Sequence, residues 1–207
     1  MKIYDYEGFP NPARVRMAVA EKGLADRIEF VTVDVPAGEH KRAEFIAKNP
    51  SGAVPVLELD DGTTISECTA ITEYLDNLDG APTLTGRTPK ERALIHMMQR
   101  RAEAGLLDAV GAYFHHATPG LGPDLEPYQN AEWGEHSRER AIAGMNYLDG
   151  VLREQPYLSG DAFSMADITA FAGLAFADFA GIDVPANLTA LTAWRARVGE
   201  RPSNATG

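Results

Sequence analysis

"SGAVPVLELDDGTTISECTAITEYL" (residues 51–75) holds a strand with a contradiction in it. Val54, Val56, Leu57 and Leu59 carry the side chains of a strand with a buried face. Pro55 sits among them, although proline has no N–H for a ladder and belongs at strand starts, edges or bulges. Asp60, Asp61 and Gly62 then make a hairpin turn, and residues 63–66 form its second strand. From 67 to 78 the period changes: positions 70, 71, 74, 75 and 78 are apolar and share one face of a helix. Glu67 and Cys68 open that helix, where unpaired N–H groups and the positive dipole end favour an anion.

Upstream, "KIY" (2–4) is a short strand and "NPARVRMAVAEKG" (11–23) a helix, with Asn11 as N-cap, Pro12 in the first turn and Gly23 as C-cap. "IEFVTVDV" (28–35) reads as a strand, and "GEHKRAEFIAKN" (38–49) as a short helix or irregular turn. The order βαβαββα predicts a four-stranded mixed sheet with helices on its faces, an α/β domain spanning 1–79.

Downstream, "DGAPTLTGRTP" (79–89) is a linker, and everything from 87 to 207 reads as an all-α domain. Thr88 and Glu91 form a capping box with Pro89 between them, and the helix they open runs to "YFHHATPG", where Pro119 and Gly120 stop it. A second long helix covers about 129–153. Ser164 and Asp167 form another capping box, worth about 1 kcal/mol, before the nearly all-apolar helix 166–180. A helix apolar around most of its circumference is buried, so this one should be the centre of the second domain. A last helix, about 187–199, precedes "ERPSNATG", expected to be loosely held.

The composition is that of a folded protein, 44% hydrophobic and 24% charged. A net charge of −11 argues against nucleic acid and anionic membranes as partners. Neither part escapes this: residues 1–79 hold 8 basic and 15 acidic side chains, and 80–207 hold 11 and 15. The single cysteine, Cys68, rules out an intrachain disulfide and fits a reducing, cytoplasmic setting. "MKIYDYEGF" enters a strand pattern directly, without a basic-then-apolar leader. No apolar stretch is long enough to cross a bilayer, and one Cys with five His shows no metal-ligand spacing.

The segment "NPSGAVPVLELDDGTTISECTAITEYL" resembles the glutathione-binding segment of cytosolic glutathione transferases, and "GDAFSMADI" resembles the capping motif of their helical domain. "GEHK", "ECTAITEY" and "YFHHATPGLG" are similar to a fungal and bacterial subgroup. The resemblance implies a thioredoxin-like first domain in which Pro55 is cis. The backbone of Val54 is then turned out of the ladder, and the cysteinyl part of glutathione pairs with it as an added strand. It also implies that Glu67 and Cys68 hold the γ-glutamyl group. The family usually has Ser at position 68; Cys68 keeps the N–H and offers only a weak S–H. His40 and Lys41 fall where the family places basic groups near the glycyl carboxylate, with surface solvation as the competing reading. Asn49 is expected to tie a turn.

Such enzymes attack with a thiolate. Moving a thiol pKa from ~8.5 to ~6.5 takes about 2.7 kcal/mol, within reach of one charge-assisted hydrogen bond. Most of the family supplies it from a Tyr, Ser or Cys near the first strand or helix. Here no such residue stands between Tyr6 and Arg14, which leaves Asn11 and Tyr6, with Tyr4 expected to be packed. The subgroup is described as using a water held by a Ser and a His of the first long helix of the helical domain. His115 is the carry-over, with His116 beside it, but Gly111 stands where the serine is looked for. The competing reading for both histidines is a favourable place at a helix C-terminus.

The resemblance therefore implies a homodimeric transferase conjugating glutathione, as co-substrate and without a resident cofactor or metal, to small hydrophobic electrophiles in detoxification. The electrophile pocket is expected between the domains, at Phe9, Gly111, Tyr113, Phe114 and His116. Two other readings stay open: a glutathione-dependent peroxidase on the same scaffold, and a non-catalytic glutathione-binding or regulatory protein.

Overall fold

A computed structural model describes residues 1–203. The terminal residues 204–207 of "ERPSNATG" lie outside the described residues, so the expectation that they are loosely held is not addressed. The chain divides into two compact units, Met1–Leu84, which Pro202 and Ser203 rejoin, and Thr85–Arg201.

In the first unit, β1 (Lys2–Asp5), α1 (Pro10–Glu21), β2 (Glu29–Thr32), α2 (Ala43–Ile46), β3 (Val56–Glu58), β4 (Thr64–Ser66) and α3 (Cys68–Asp76) follow in that order. Short 3-10 turns at Ala25–Arg27 and Glu39–Lys41 precede β2 and α2. The sheet order is β2-β1-β3-β4; β1 runs parallel to β2 and antiparallel to β3, and β3 antiparallel to β4. Period-two alternation divides the faces. Ile3 opposes Leu57 and both point into a core with Val15 and Val19 of α1 and Ile71 and Leu75 of α3. Tyr4 opposes Val56, and these face Phe45 of α2 and Val33. Ile3 and Leu57 are fully buried, each worth roughly 1.5–3 kcal/mol of transfer free energy.

One expectation is corrected at α1. The helix begins at Pro10, with extended Phe9 as its N-cap, and Asn11 lies inside the first turn. Proline's fixed φ suits a first helical position and its missing N–H is no loss there, so Pro10 starts the helix one residue before Asn11 can cap it.

The second unit holds α4 (Pro89–Ala102), a π-helical turn (Glu103–Leu107), α5 (Asp108–Ala117), α6 (Ala131–Leu152), α7 (Met165–Phe179) and α8 (Thr189–Gly199). Both capping boxes form reciprocally, Thr88 with Glu91 and Ser164 with Asp167. Asn130 caps α6 by accepting from the Trp133 N–H. The π turn, unforeseen, divides what reads as one helix. There Gly105 meets Gly144 of α6 so closely that a Cβ on Gly144 would stand 2.2 Å from the Gly105 carbonyl oxygen. Buried Ala166, Ile168, Ala170, Leu174 and Ala177 make α7 the centre of this unit. Phe179, at its last turn, is 76% exposed, against the expectation of a helix buried all round.

Asp167 does more than cap. Oδ1 accepts from the Leu158 N–H and from the Trp194 indole N–H, and Oδ2 from the N–H and hydroxyl of Ser164, each at 3.0 Å. Burial pushes its carboxyl up to about 6, although these bonds oppose the shift.

Candidate active site

The sheet's register gathers one set of candidates. Tyr4 pairs with Val56, so the end of β1 and the start of β3 lie side by side. Val56 also pairs with Ser66, so Pro55 and Glu67 leave the same end of the hairpin. The loop Tyr6–Phe9, the first turn of α1, the Val54–Pro55 pair and the first turn of α3 therefore share one end of the sheet.

The Val54–Pro55 peptide is cis. Neither the N–H nor the C=O of Val54 has a hydrogen-bond partner among the described residues. Glu67 caps α3 with φ 70° and ψ 120°, the one non-glycine residue with positive φ among those described. An L-residue held there stores about 1–3 kcal/mol. The Glu67 carbonyl accepts from the Ile71 N–H, the first bond of the helix, and the Glu67 side chain does not cap the N–H groups ahead of it. The Glu67 side chain is exposed.

Cys68 points the other way. It is 7% exposed, and its Sγ lies 3.4 Å from the Asn11 carbonyl oxygen and 3.6 Å from Asn11 Oδ1. Its side chain therefore ties α3 to α1, and its backbone N–H is what it offers at the helix start. Asn11 Oδ1 also accepts from Arg14 Nη1 at 2.9 Å, which orients the amide. Tyr6 is half-buried with its ring edge-on to Phe9, centroids 4.8 Å apart. Tyr4 is packed as expected: its hydroxyl donates to Glu58, which also pairs with Lys48.

The residues before β3 bring in His40 and Lys41. Asn49 ties a turn, its amide donating to the Ala53 carbonyl at 2.7 Å while Oδ1 accepts from the N–H and hydroxyl of Ser51. Lys41 Nζ donates to the Gly52 carbonyl at 2.8 Å. Gly52 has φ 56°, and a Cβ there would meet the His40 carbonyl oxygen at 3.1 Å, so glycine is needed both for its conformation and for the approach. His40 is 6% exposed with Nδ1 unpartnered; burial, then the charge of Lys41, hold its pKa below the usual histidine range. Surface solvation therefore describes Lys41, which is exposed, and not His40.

In the second unit, α5 distributes its candidates in three directions. Phe114 meets Phe176 and Phe179 of α7 at centroid distances of 5.4 and 5.7 Å, and Phe176 stacks on Phe179. Gly111 lies beside this trio: a Cβ there would touch Phe176 at an ordinary 3.7 Å. His115 Nδ1 pairs with Glu126 Oε1 in the loop after α5. His116 Nδ1 accepts from the Asn130 N–H at 3.3 Å, and its ring faces Tyr128, which places it at the start of α6. Tyr113 is half-buried.

Three participants were not foreseen. Phe176 and Phe179 stand three apart in a helix read as interior, and an aromatic pair at i and i+3 near its end was the available signal. Glu126 stands eleven residues beyond His115 in a Gly- and Pro-bearing loop, where no period points to it. Among the described residues no cluster of three or more His, Cys, Asp or Glu is placed to hold a metal ion, and no helix is long and apolar enough to cross a membrane.

Residues 10–78 match the glutathione S-transferase N-terminal domain and residues 131–197 the glutathione S-transferase C-terminal domain. The chain is 61% identical over 203 residues to Glutathione S-transferase 2 of Saccharomyces cerevisiae, which covers 98% of this chain and 87% of that one. It is similar to the crystal structure of Gtt2 from Saccharomyces cerevisiae at a TM-score of 0.97 and 60% identity, over 98% of both chains. A glutathione S-transferase domain-containing protein of Marinobacter aquaeolei gives a TM-score of 0.96 and 62% identity, over 98% of this chain and 99% of that one.

Proposed function

The chain belongs to the glutathione S-transferase family, and from that premise we infer that it joins the thiolate of glutathione to small hydrophobic electrophiles. The observation that carries the glutathione half is the shared end of the sheet. There, the unpartnered backbone of Val54 stands at the same end as the first turn of α3, which the Glu67 side chain does not cap. An extended cysteinyl residue pairs with the first, and a carboxylate is received by the second. Exposed Glu67 accepts from the ammonium of the γ-glutamyl group, Pro55 shapes the strand start, and Cys68 contributes its N–H. Lys41, with His40 behind it, supplies charge for the glycyl carboxylate. Asn11 and Tyr6 stand as the first unit's own hydrogen-bond donors to the sulfur.

The second unit contributes His115, which holds a water that takes the thiol proton. Phe114, Gly111 and Tyr113, with Phe176, Phe179 and His116, offer the apolar surface for the electrophile. The trio's face-and-edge packing suits an aromatic or conjugated acceptor. No metal or resident cofactor enters this chemistry.

The same reading takes the protein as a cytoplasmic homodimer acting in detoxification. Its single, buried cysteine agrees with a reducing compartment. Exposed Leu94, Met97 and Tyr147 on α4 and α6 offer apolar surface for a second copy.

The test is the ultraviolet thiolate absorbance of bound glutathione followed against pH, with conjugation of a chloronitrobenzene measured alongside. A thiol pKa well below the free value, together with turnover, is expected. Glutathione that binds but titrates as in free solution would overturn the transferase reading in favour of a binding protein.

A further inference from the structure

Glu126 has a place that a loop carboxylate rarely holds. Its side chain is 12% exposed, while that of His115 is 44% exposed. One carboxylate oxygen pairs with His115 Nδ1, and the other accepts from the Leu121 N–H at 3.1 Å. The loop is shaped around it: a Cβ on Gly120, whose φ is 56°, would stand 1.8 Å from Glu126 Oε2. Gln129 closes the other side by donating to the carbonyls of His115 and Thr118. So the imidazole is gripped at one nitrogen by a shielded carboxylate, while the ring itself remains partly exposed.

We propose that Glu126 is a positioning residue for the reaction: with His115 it forms a carboxylate–imidazole pair that keeps Nε2 of His115 bare as the proton acceptor. The inference rests on the reading of His115 as the thiol-activating side chain. An ionised carboxylate only accepts hydrogen bonds, so Nδ1 must carry the proton, and in a neutral ring Nε2 then holds the lone pair. The step balances as a proton transfer. The S–H bond of glutathione breaks, its proton passes to the water held at Nε2, and that water passes a proton to Nε2. The result is a thiolate and an imidazolium, whose positive charge the Glu126 carboxylate stabilises. Turnover returns the proton to solvent or to the leaving group. The other ionisable group at this point of α5, His116, is turned to Asn130 and Tyr128, so Glu126 is the charge that His115 feels directly.

A merely structural Glu126 would pin the loop to the helix end, and Gln in its place would pin it as well. The test therefore compares Glu126→Gln with His115→Ala. In wild type, nitrogen-15 NMR of the imidazole is expected to show His115 with Nδ1 protonated and Nε2 bare; the opposite tautomer would overturn the proposal. In Glu126→Gln the thiol pKa of bound glutathione is expected to rise by about one unit, a roughly tenfold smaller thiolate fraction. The KM for glutathione is expected to stay unchanged. A wild-type thiol pKa in Glu126→Gln, while His115→Ala raises it, would overturn the role of Glu126 alone. A wild-type value in His115→Ala would instead remove His115 as activator and take the proposal with it.

Discussion

The two units offer candidate groups of different kinds. At the end of the first unit's sheet the candidate groups are mainly backbone: the amide and carbonyl of Val54 and the N–H groups opening α3. Side chains there mostly brace the chain, as Asn49, Lys41 and Cys68 do. In the second unit the candidate groups are side chains, a histidine paired with a carboxylate and three phenylalanines, on helices whose frame is tied to the buried Asp167 carboxylate. A backbone site tolerates substitution as long as the chain path survives. A side-chain site fails atom by atom. Mutations around Val54, Glu67 and Cys68 should thus act on glutathione affinity, and those in the second unit on thiolate formation or on stability.

The largest effect is expected at Asp167. Replacement by Ala leaves the N–H groups of Leu158, Ser164 and Trp194 buried without their acceptor, so unfolding stability should fall by about 3–5 kcal/mol in urea titration. Loss of about 1 kcal/mol would mean that Asp167 is only a cap. Its titration adds a pH test. The carboxyl lies near 6 in the folded chain against an ordinary 3.8, so the folded state holds the proton more tightly. The stability this proton contributes is fully present below pH 3.8 and is lost as pH rises through about 6. Asp167→Asn, less stable because an amide nitrogen cannot accept from Ser164, should lose this dependence. The wild-type-minus-variant difference in stability should then fall from pH 4 to pH 7.

Next comes Glu67→Ala. Removing a charged acceptor for the ammonium should weaken glutathione binding by about tenfold to a hundredfold in calorimetry, with the thiol pKa of bound glutathione unchanged. A changed thiol pKa with unchanged affinity would reverse the division between the units. Gly120→Ala is its counterpart in the second unit: a Cβ displaces the Glu126 carboxylate, so the thiol pKa should rise by about one unit with affinity for glutathione within about twofold.

The same contrast governs what was legible in the sequence. The end of the first unit's sheet could be read because its signals are local. Pro55 interrupts its own strand, Glu67 and Cys68 open their own helix, and the Asp–Gly turn fixes the hairpin. Both capping boxes were legible for the same reason, each being complete within four residues. The start of α1 was misplaced because a proline at the first helical position outranked an asparagine that could have capped the next. The π turn depends on Gly105 meeting Gly144, partners whose approach no local pattern records. Glu126 was invisible for the same cause, since its partner lies across an irregular loop. Phe179 stands exposed although apolar, because hydrophobicity reports what a side chain prefers and not what the fold leaves for it to pack against.

The smallest expected effect falls on Cys68→Ser, and it tests the comparison most finely. If the first half of the site is built from backbone, the side chain at 68 should hardly matter to the ligand, because the N–H remains. The thiol turns inward to Asn11 and packs with Ile71 and Val15 in the core. A serine hydroxyl can donate to the same carbonyl while giving up some apolar contact, so a stability loss of about 1 kcal/mol or less is expected. Glutathione affinity should stay within about twofold by calorimetry. A severalfold gain would mean that the hydroxyl has rotated out to meet the γ-glutamyl carboxylate. Position 68 would then be a side-chain contact that this chain gave up for a brace between α3 and α1.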